Sequence, residues 1–192
     1  ASNKRYDTVV PTVIEYMEKL GELTGRKYKP FDYVGAKDAK HIIIAMGSVN
    51  ETIEETISYL IEQGEKVGLV KVRLYRPFSK EALLSVIPKT VEVISVLDRT
   101  KEKGSPFEPL HYDILGAYSG EENKPVIVGG RYGLGSKNTT PSQIKAVFDN
   151  MKADKPKDRF TIGIIDDITH TNLEIKDIIT TEPKDTIKCK FW

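Results

Sequence analysis

The sequence predicts an α/β fold: a three-layer α/β/α sandwich around a five-stranded, mostly parallel sheet. Short, continuous apolar runs recur along the chain, which is typical of strands buried on both faces. Between them lie segments whose apolar side chains have helical spacing. Strands that alternate with helices through short loops indicate a parallel sheet covered by helices on both faces. The predicted strands are residues 41–46, 67–73, 91–97, 125–128 and 160–164.

Helix start signals support the predicted alternation. Ser48-Val49-Asn50-Glu51 and Thr140-Pro141-Ser142-Gln143 have the sequence of a capping box, in which side chains at either end of the motif satisfy free amides. Proline at position 141 also suits the first turn of a helix, and Ser79 can cap another. The predicted helices are residues 8–24, a segment from Ser48 to Gly64, and residues 79–85, 108–118 and 140–151.

The chain divides into three predicted segments. Residues 1–40 form an N-terminal helix and a connector, and residues 41–168 form the α/β domain. Residues 169–192 have a mixed Thr-, Lys- and Asp-rich composition, which indicates a linker toward a next domain. The aromatic pair at the end, Phe191 and Trp192, is what we expect of a piece of a longer chain.

Composition excludes several classes of protein. With 29 basic and 28 acidic residues, the net charge of +1 argues against a nucleic-acid partner. No apolar run approaches the roughly 18 residues of a membrane span. The lone cysteine, Cys189, fits a reducing, cytoplasmic location and by itself cannot build an iron–sulfur site. The three histidines show no metal-ligand spacing, so we expect no metal or cofactor of the chain's own.

A glycine-rich turn between a predicted strand and a predicted helix is the first candidate site. Its sequence, GGRYGLGSKNTT, resembles neither a complete P-loop nor a complete dinucleotide fingerprint. Two interpretations stay open: a tight loop that needs positive φ, with Tyr132 packing against a neighbouring domain, or a contact to a phosphate or cofactor. The candidate residues are Gly130, Arg131, Tyr132, Gly133, Gly135, Ser136 and Lys137.

Two further clusters follow the ends of predicted strands, where ligands and partners of open α/β sheets collect. In one, arginines alternate with aromatic residues, as in interface anchors; its candidates are Arg73, Tyr75, Arg76 and Phe78. The other contains Asp98, Arg99 and Lys101, either a site or a salt-bridged domain joint. Because no histidine, cysteine or paired buried carboxylate lies near in sequence, the joint is favoured and no catalytic residue is predicted.

The candidate clusters, with the segments around them, resemble the second domain of the single-chain pyruvate:ferredoxin (flavodoxin) oxidoreductases. The similar stretches cover nearly the whole chain and include "KVRLYRPFSKEALLSVIPKT", "VLDRTKEKGSPFEPLHYDI" and "GGRYGLGSKNTTPSQIKAVFDN". Residues 42–99 also resemble the C-terminal domain of transketolase-like thiamine enzymes. The resemblance implies a transketolase C-terminal-domain-like sheet with one antiparallel edge strand.

The resemblance also implies a function. Enzymes of that family oxidatively decarboxylate pyruvate to acetyl-CoA with coenzyme A, using thiamine diphosphate, Mg²⁺ and [4Fe-4S] clusters, and pass electrons to ferredoxin or flavodoxin. They are expected to be homodimers. This chain would be an inactive structural module that contacts other domains of the same polypeptide, and coenzyme A from an adjacent domain is the candidate for any phosphate at the glycine-rich turn. The alternatives are a free-standing subunit of a 2-oxoacid:ferredoxin oxidoreductase and an independent phosphate-ligand-binding domain.

Overall fold

A computed structural model describes residues 3–183 and 185–190. Phe191 and Trp192, on which the expectation about the chain's end rests, lie outside the described residues. The helices are α1 (Asn3–Thr24), α2 (Val49–Glu62), α3 (Lys80–Val86), α4 (Pro109–Ala117) and α5 (Pro141–Met151). The strands are β1 (Phe31–Gly35), β2 (His41–Met46), β3 (Val67–Val72), β4 (Val93–Asp98), β5 (Val126–Arg131) and β6 (Phe160–Thr161).

The strands form one sheet in the order β1-β3-β2-β4-β5-β6. Five of them are parallel, and β1 pairs antiparallel with β3 at one edge, so the predicted fold class and its antiparallel edge strand are confirmed. The predicted count of five strands was wrong, because β1 lies in the segment taken for a connector. Its sequence, FDYVG, has no continuous apolar run: only Phe31 is fully buried, as suits a short edge strand.

The central strands bury both of their faces. In β2, Ile42 and Ile44 point to one side of the sheet, while Ile43 and Ala45 point to the other, as the two-residue period of a strand requires. One side packs against α2 and α5, the other against α3 and α4. Because apolar side chains are buried on both faces of the sheet, the strands could be predicted from continuous apolar runs rather than from alternating apolar and polar residues.

All three predicted N-cap residues precede their helices, but only two of them make the predicted side-chain cap. The amide of Gln143 donates to Thr140 Oγ1 (3.4 Å) and the amide of Thr140 donates to Gln143 Oε1 (3.1 Å), which completes the predicted capping box of α5. Ser79 accepts from the amide of Ala82 at 3.2 Å. The capping box at Ser48 was wrong: Ser48 has helical φ and ψ and makes no side-chain cap.

The segment after β6 lies against the domain as far as residue 181. Asn172 forms a bridge with Thr161. Ser142 on α5 exchanges two hydrogen bonds with the backbone of Ile179, and Thr181 donates to Glu55 on α2 at 3.0 Å. The division at residue 169 stays a prediction. Among the described residues, no helix combines the length and apolar character that a membrane crossing requires.

Candidate functional site

The three predicted clusters lie together at the carboxyl ends of the parallel strands. Residues 73–78 follow β3, residues 98–101 begin at the last residue of β4, and residues 129–137 contain the end of β5. These three strands run parallel in one sheet, so their carboxyl ends lie on the same side of it. We call these three segments the carboxyl edge. The edge is cross-linked by its own contacts: Tyr132, after β5, donates from its amide to Asp98 O at 3.1 Å and from its hydroxyl to Met46 O, at the end of β2, at 3.3 Å.

The first glycines of the turn are required by packing. A Cβ atom on Gly129 would lie 2.2 Å from Nδ1 of His111, and one on Gly130 would lie 2.2 Å from the ring of Phe160. The amide of Gly129 donates to Asp158 Oδ1 at 2.8 Å. Side chains from both sides therefore approach this part of β5, which is buried. This half of the turn is architectural.

Tyr132 belongs to the core of this domain. It is 7% exposed and packs among the residues that cover the α2 and α5 side of the sheet. Burial raises the pKa of its phenol, while Arg99 acts in the opposite direction. Its ring therefore packs inside the domain. A contact of Tyr132 with a neighbouring domain, one of the two interpretations of the turn, stays a prediction.

A buried carboxylate, Asp98, holds the start of α4. Its two oxygens accept the amides of Leu110 (3.1 Å) and His111 (3.2 Å), so it serves as a remote N-cap. Burial raises the pKa of this carboxyl, and the two backbone hydrogen bonds oppose that rise. Asp98 is 4% exposed and its oxygens are directed at the helix. Its position is structural.

Glu108 forms the centre of a buried ion cluster that sequence reasoning missed. It is 2% exposed, and its Oε1 lies 3.0 Å from Nε of Arg131 and 3.6 Å from Nζ of Lys101. The contact with Arg131 is an ion pair by distance, because neither Oε1 nor Nε is aligned for a hydrogen bond. The two cations come from different predicted clusters, and Glu108 joins them. Sequence alone predicts that a glutamate directly before a helix that starts with proline is exposed to solvent. Only the nearness of Lys101 and Arg131, which the fold provides, indicates that Glu108 is buried and paired.

His111, also missed, fills the space between α4 and β5. It is 1% exposed, neither ring nitrogen has a hydrogen-bond partner in the described part of the chain, and Phe107 contacts it edge-on at 4.8 Å between ring centroids. Burial lowers the pKa of His111, and the nearby carboxylates of Asp158 and Glu108 only partly offset this. A ring so enclosed acts as a packing group.

The arginines that follow β3 are each paired. Arg73 forms an ion pair with Asp32 on β1. Arg76 lies 2.9 Å from Asp113 on α4 and stacks on the ring of Tyr75 at 3.9 Å. Burial, with a contribution from Asp113, raises the pKa of Tyr75 to about 12. This cluster therefore joins β1, β3 and α4.

Phe78 of the same cluster is partly buried and meets Phe31 of β1 edge-on, with ring centroids 5.5 Å apart. It therefore fastens the segment after β3 to the edge strand. The contact of Phe78 with another domain stays a prediction.

The second half of the turn is the exposed part. Gly133, Gly135 and Ser136 have left-handed φ values of 63°, 62° and 57°. The side chain of Arg99 packs on Gly133, where a Cβ atom would lie 3.0 Å from its Nε. Arg99 and Lys137 have no carboxylate within ion-pair distance among residues 3–183 and 185–190. At the start of α5, Pro141 has no amide proton and the amide of Gln143 donates to Thr140 Oγ1. The phosphate contact stays a prediction.

The chain's single cysteine does not fit the [4Fe-4S] clusters that the family resemblance implies. A [4Fe-4S] cluster takes four thiolates, and the sequence has one cysteine, Cys189, which is exposed. In the described ranges, no three His, Cys, Asp or Glu side chains converge as metal ligands. A cluster held by four thiolates would therefore need ligands from outside this chain.

Comparison with known proteins gives a consistent picture. The model of the family "Pyruvate:ferredoxin oxidoreductase core domain II" matches residues 39–144. The chain is 55% identical, over all of its length, to 16% of the pyruvate:ferredoxin oxidoreductase of Moorella thermoacetica. It is 53% identical, again over all of its length, to 16% of a pyruvate-flavodoxin oxidoreductase of Enterobacter agglomerans. A solved split-gene transketolase aligns with 62% of this chain and 38% of its own, at 18% identity and a TM-score of 0.44.

Proposed function

Because the chain belongs to the family of pyruvate:ferredoxin oxidoreductase core domain II, we propose that it works as a structural, inter-domain module of a pyruvate:ferredoxin (flavodoxin) oxidoreductase. The larger enzyme would decarboxylate pyruvate oxidatively to acetyl-CoA and CO₂ and deliver two electrons to ferredoxin or flavodoxin. The observation that carries the proposal is the similarity itself: the whole chain aligns at 55% identity, yet it spans only 16% of the relative's length.

The geometry of the carboxyl edge supports a role in holding domains rather than in chemistry. Asp98 caps α4, and Glu108 is engaged by Arg131 and Lys101. A carboxylate that works as a general acid or base must reach a substrate proton within hydrogen-bond distance. Both carboxylates are instead buried and directed at groups of this domain. The exposed remainder, Arg99 and residues 133–137, would form the inter-domain contact.

Thiamine diphosphate, Mg²⁺, the [4Fe-4S] clusters and coenzyme A would be held by other parts of the enzyme. Those groups supply the decarboxylation and electron-transfer chemistry. This chain would instead keep the surrounding domains in register. Its partners would be the other domains of the same polypeptide, within a cytoplasmic homodimer that uses ferredoxin or flavodoxin as electron acceptor.

The size of the native polypeptide tests the proposal. An antibody raised against the 192-residue chain is used to probe a lysate of the source cells. We expect a band near about 135 kDa, the mass of a polypeptide of which 21.6 kDa is 16%. A band near 21.6 kDa would instead support a free-standing subunit.

Calorimetric titration tests the remaining alternative, an independent phosphate-ligand-binding domain. The isolated chain is titrated with coenzyme A, and with inorganic phosphate as a control. We expect no saturable heat, because the chain would meet that co-substrate only through its neighbours. Saturable, micromolar binding that an Arg99→Met change weakens would overturn the structural role in favour of a phosphate-ligand-binding domain.

A further inference from the structure

Helix α1 carries two adjacent apolar stripes, and one of them faces this domain across a cavity. Ile14 and Met17 line a cavity of about 810 Å³ between α1 and α3, together with Phe31 and Val86. None of the described α1 side chains, residues 4–24, is fully buried. The second stripe lies about 100° away from the first around the helix axis. An amphipathic surface helix needs one apolar stripe, so this broader apolar arc indicates a surface that more than this domain covers.

The second stripe has the spacing of a helix–helix seam. Its members recur at alternating intervals of three and four residues over almost three heptads, the pattern by which one helix packs along another. We call it the outer stripe, and it consists of Tyr6, Val9, Val13, Tyr16, Leu20 and Leu23. Leu23 is 86% exposed, Tyr16 63%, Tyr6 62% and Leu20 46%, so the described part of the chain leaves these large side chains mostly uncovered. Lys19 lies over the ring of Tyr16 at 4.9 Å.

The helix itself lacks the features that would stabilise it alone. Its interior contains Pro11 and Gly21, the two residue types least favourable to a helix, and its first turn has no acidic residue to oppose the helix dipole. Packing of an apolar face supplies most of the stability of helices in proteins. The outer stripe is therefore the surface from which α1 would gain its remaining stability.

We propose that the outer stripe of α1 docks onto an apolar helical surface in another part of the same, larger polypeptide. The inference rests on the proposed function, under which five-sixths of the polypeptide lies outside this chain. A single helix face offers less than the roughly 600 Å² per partner at the low end of specific interfaces between separate molecules. Within one polypeptide that limit is relaxed, because tethering raises the effective concentration of the two surfaces to about the millimolar range.

Hydrogen–deuterium exchange compares α1 in two settings: the isolated 192-residue chain and the native larger polypeptide. We expect amides of residues 4–24 to exchange at least about tenfold more slowly in the larger polypeptide, because docking removes local opening. Amides of β2 and β4, which are buried in both settings, serve as the internal reference. Equal exchange of α1 in both settings would overturn the proposal.

A matched pair of variants assigns the protection to the stripe. Leu23→Glu places a charge on the outer stripe, whereas Thr8→Glu places the same charge on the same helix at an exposed position off the stripe. In the isolated chain both variants should fold like the wild type, because both positions face solvent. In the larger polypeptide, we expect Leu23→Glu to abolish the protection of α1 and Thr8→Glu to leave it unchanged. Loss of protection in neither variant, or in both alike, would contradict docking through this stripe.

Sedimentation of the isolated chain tests whether a second copy of the chain, rather than another part of the polypeptide, covers the outer stripe. A concentration-dependent dimer that Leu23→Glu dissociates would overturn the assignment to the same polypeptide. The failure of this inference also differs from the failure of the proposed function. If the native band lies near 21.6 kDa, both are overturned; if the native polypeptide is large but α1 exchanges as in the isolated chain, only this inference is.

Discussion

Gly130 is the residue whose replacement should reveal most directly how tightly the carboxyl edge is packed. An added Cβ atom would lie 2.2 and 2.3 Å from two ring atoms of Phe160 and 2.9 Å from Cδ2 of Leu97. Ordinary carbon–carbon contacts lie near 3.5–4.0 Å, so the ring would have to move by more than about 1 Å. Phe160 is 0% exposed and Leu97 is 1% exposed, which leaves neither side chain room to withdraw.

The expected cost of Gly130→Ala follows from that crowding. Overpacking a well-packed core typically costs about 1–3 kcal/mol, and two enclosed obstacles place this site near 3 kcal/mol. For a chain of this size, each kcal/mol corresponds to roughly 2–4 °C in Tm, so we expect a decrease of about 6–12 °C. Calorimetry and urea denaturation of the isolated chain measure both quantities.

The same substitution at Gly116 is the matched control. Gly116 lies in α4, and a Cβ atom there would meet nothing within 4 Å. Since alanine favours a helix over glycine, Gly116→Ala should stabilise the chain by roughly 0.5 kcal/mol. In a Phe160→Leu background, Gly130→Ala should cost less than in the wild type, because the obstacle is smaller. A Tm change below about 2 °C for Gly130→Ala would refute the packing argument.

Three further predictions concern buried charges at the same edge. Glu108→Gln leaves the guanidinium of Arg131 without its carboxylate and should cost about 3 kcal/mol in urea denaturation. Asp98→Ala removes the acceptor of two α4 amides and should cost about 2 kcal/mol by the same measurement. Burial lowers the pKa of His111 in the folded chain, so the unfolded chain binds a proton first, from about pH 6.5 downward. Unfolding free energy should therefore fall as the pH is lowered below about 6.5, and His111→Gln should make that fall shallower.

Each of these predictions has an outcome that contradicts it. Glu102, six residues before Glu108 in the sequence, is exposed and carries the same charge, so Glu102→Gln should change stability by less than about 0.5 kcal/mol. Equal effects of the two substitutions would refute the buried cluster. An Asp98→Ala variant as stable as the wild type would show that α4 needs no cap. An unchanged pH dependence in His111→Gln would assign the acid sensitivity to other groups.

The sheet was predictable from sequence because its central strands are buried on both faces. The run His41-Ile42-Ile43-Ile44-Ala45-Met46 can hardly be anything but such a strand, and the structure places β2 at those residues. The missed strand β1 has half-exposed residues and contains an aspartate, so its sequence lacks the apolar run of a buried strand. Its hydrogen bonds are made to β3, where Phe31 pairs with Val72, a residue 41 positions later in the chain. Local sequence contains no trace of such a partner.

The candidate site was predictable only in outline. That Arg131 and Asp98 would meet follows from parallel strands ending at one edge, and they are paired in the β4–β5 register. That Glu108 and His111 would complete the cluster depends on how α4 lies across the sheet, which sequence spacing does not specify. The capping box at Ser48 failed for a local reason: Gly47, with φ of 82°, already begins the helix turn through its carbonyl, which accepts the amide of Asn50.

The carboxyl edge of a parallel sheet is the usual place for ligands, because strand ends leave loops free to vary there. In this chain the same edge is filled by its own side chains: Asp98 and Glu108 are buried against α4 and Arg131, and the glycines of β5 are occupied by neighbouring rings. Such an edge changes shape little when a partner docks, since moving one group leaves a buried charge unpaired. A rigid edge would suit the proposed inter-domain module, and substitutions there should act first on the stability of the chain.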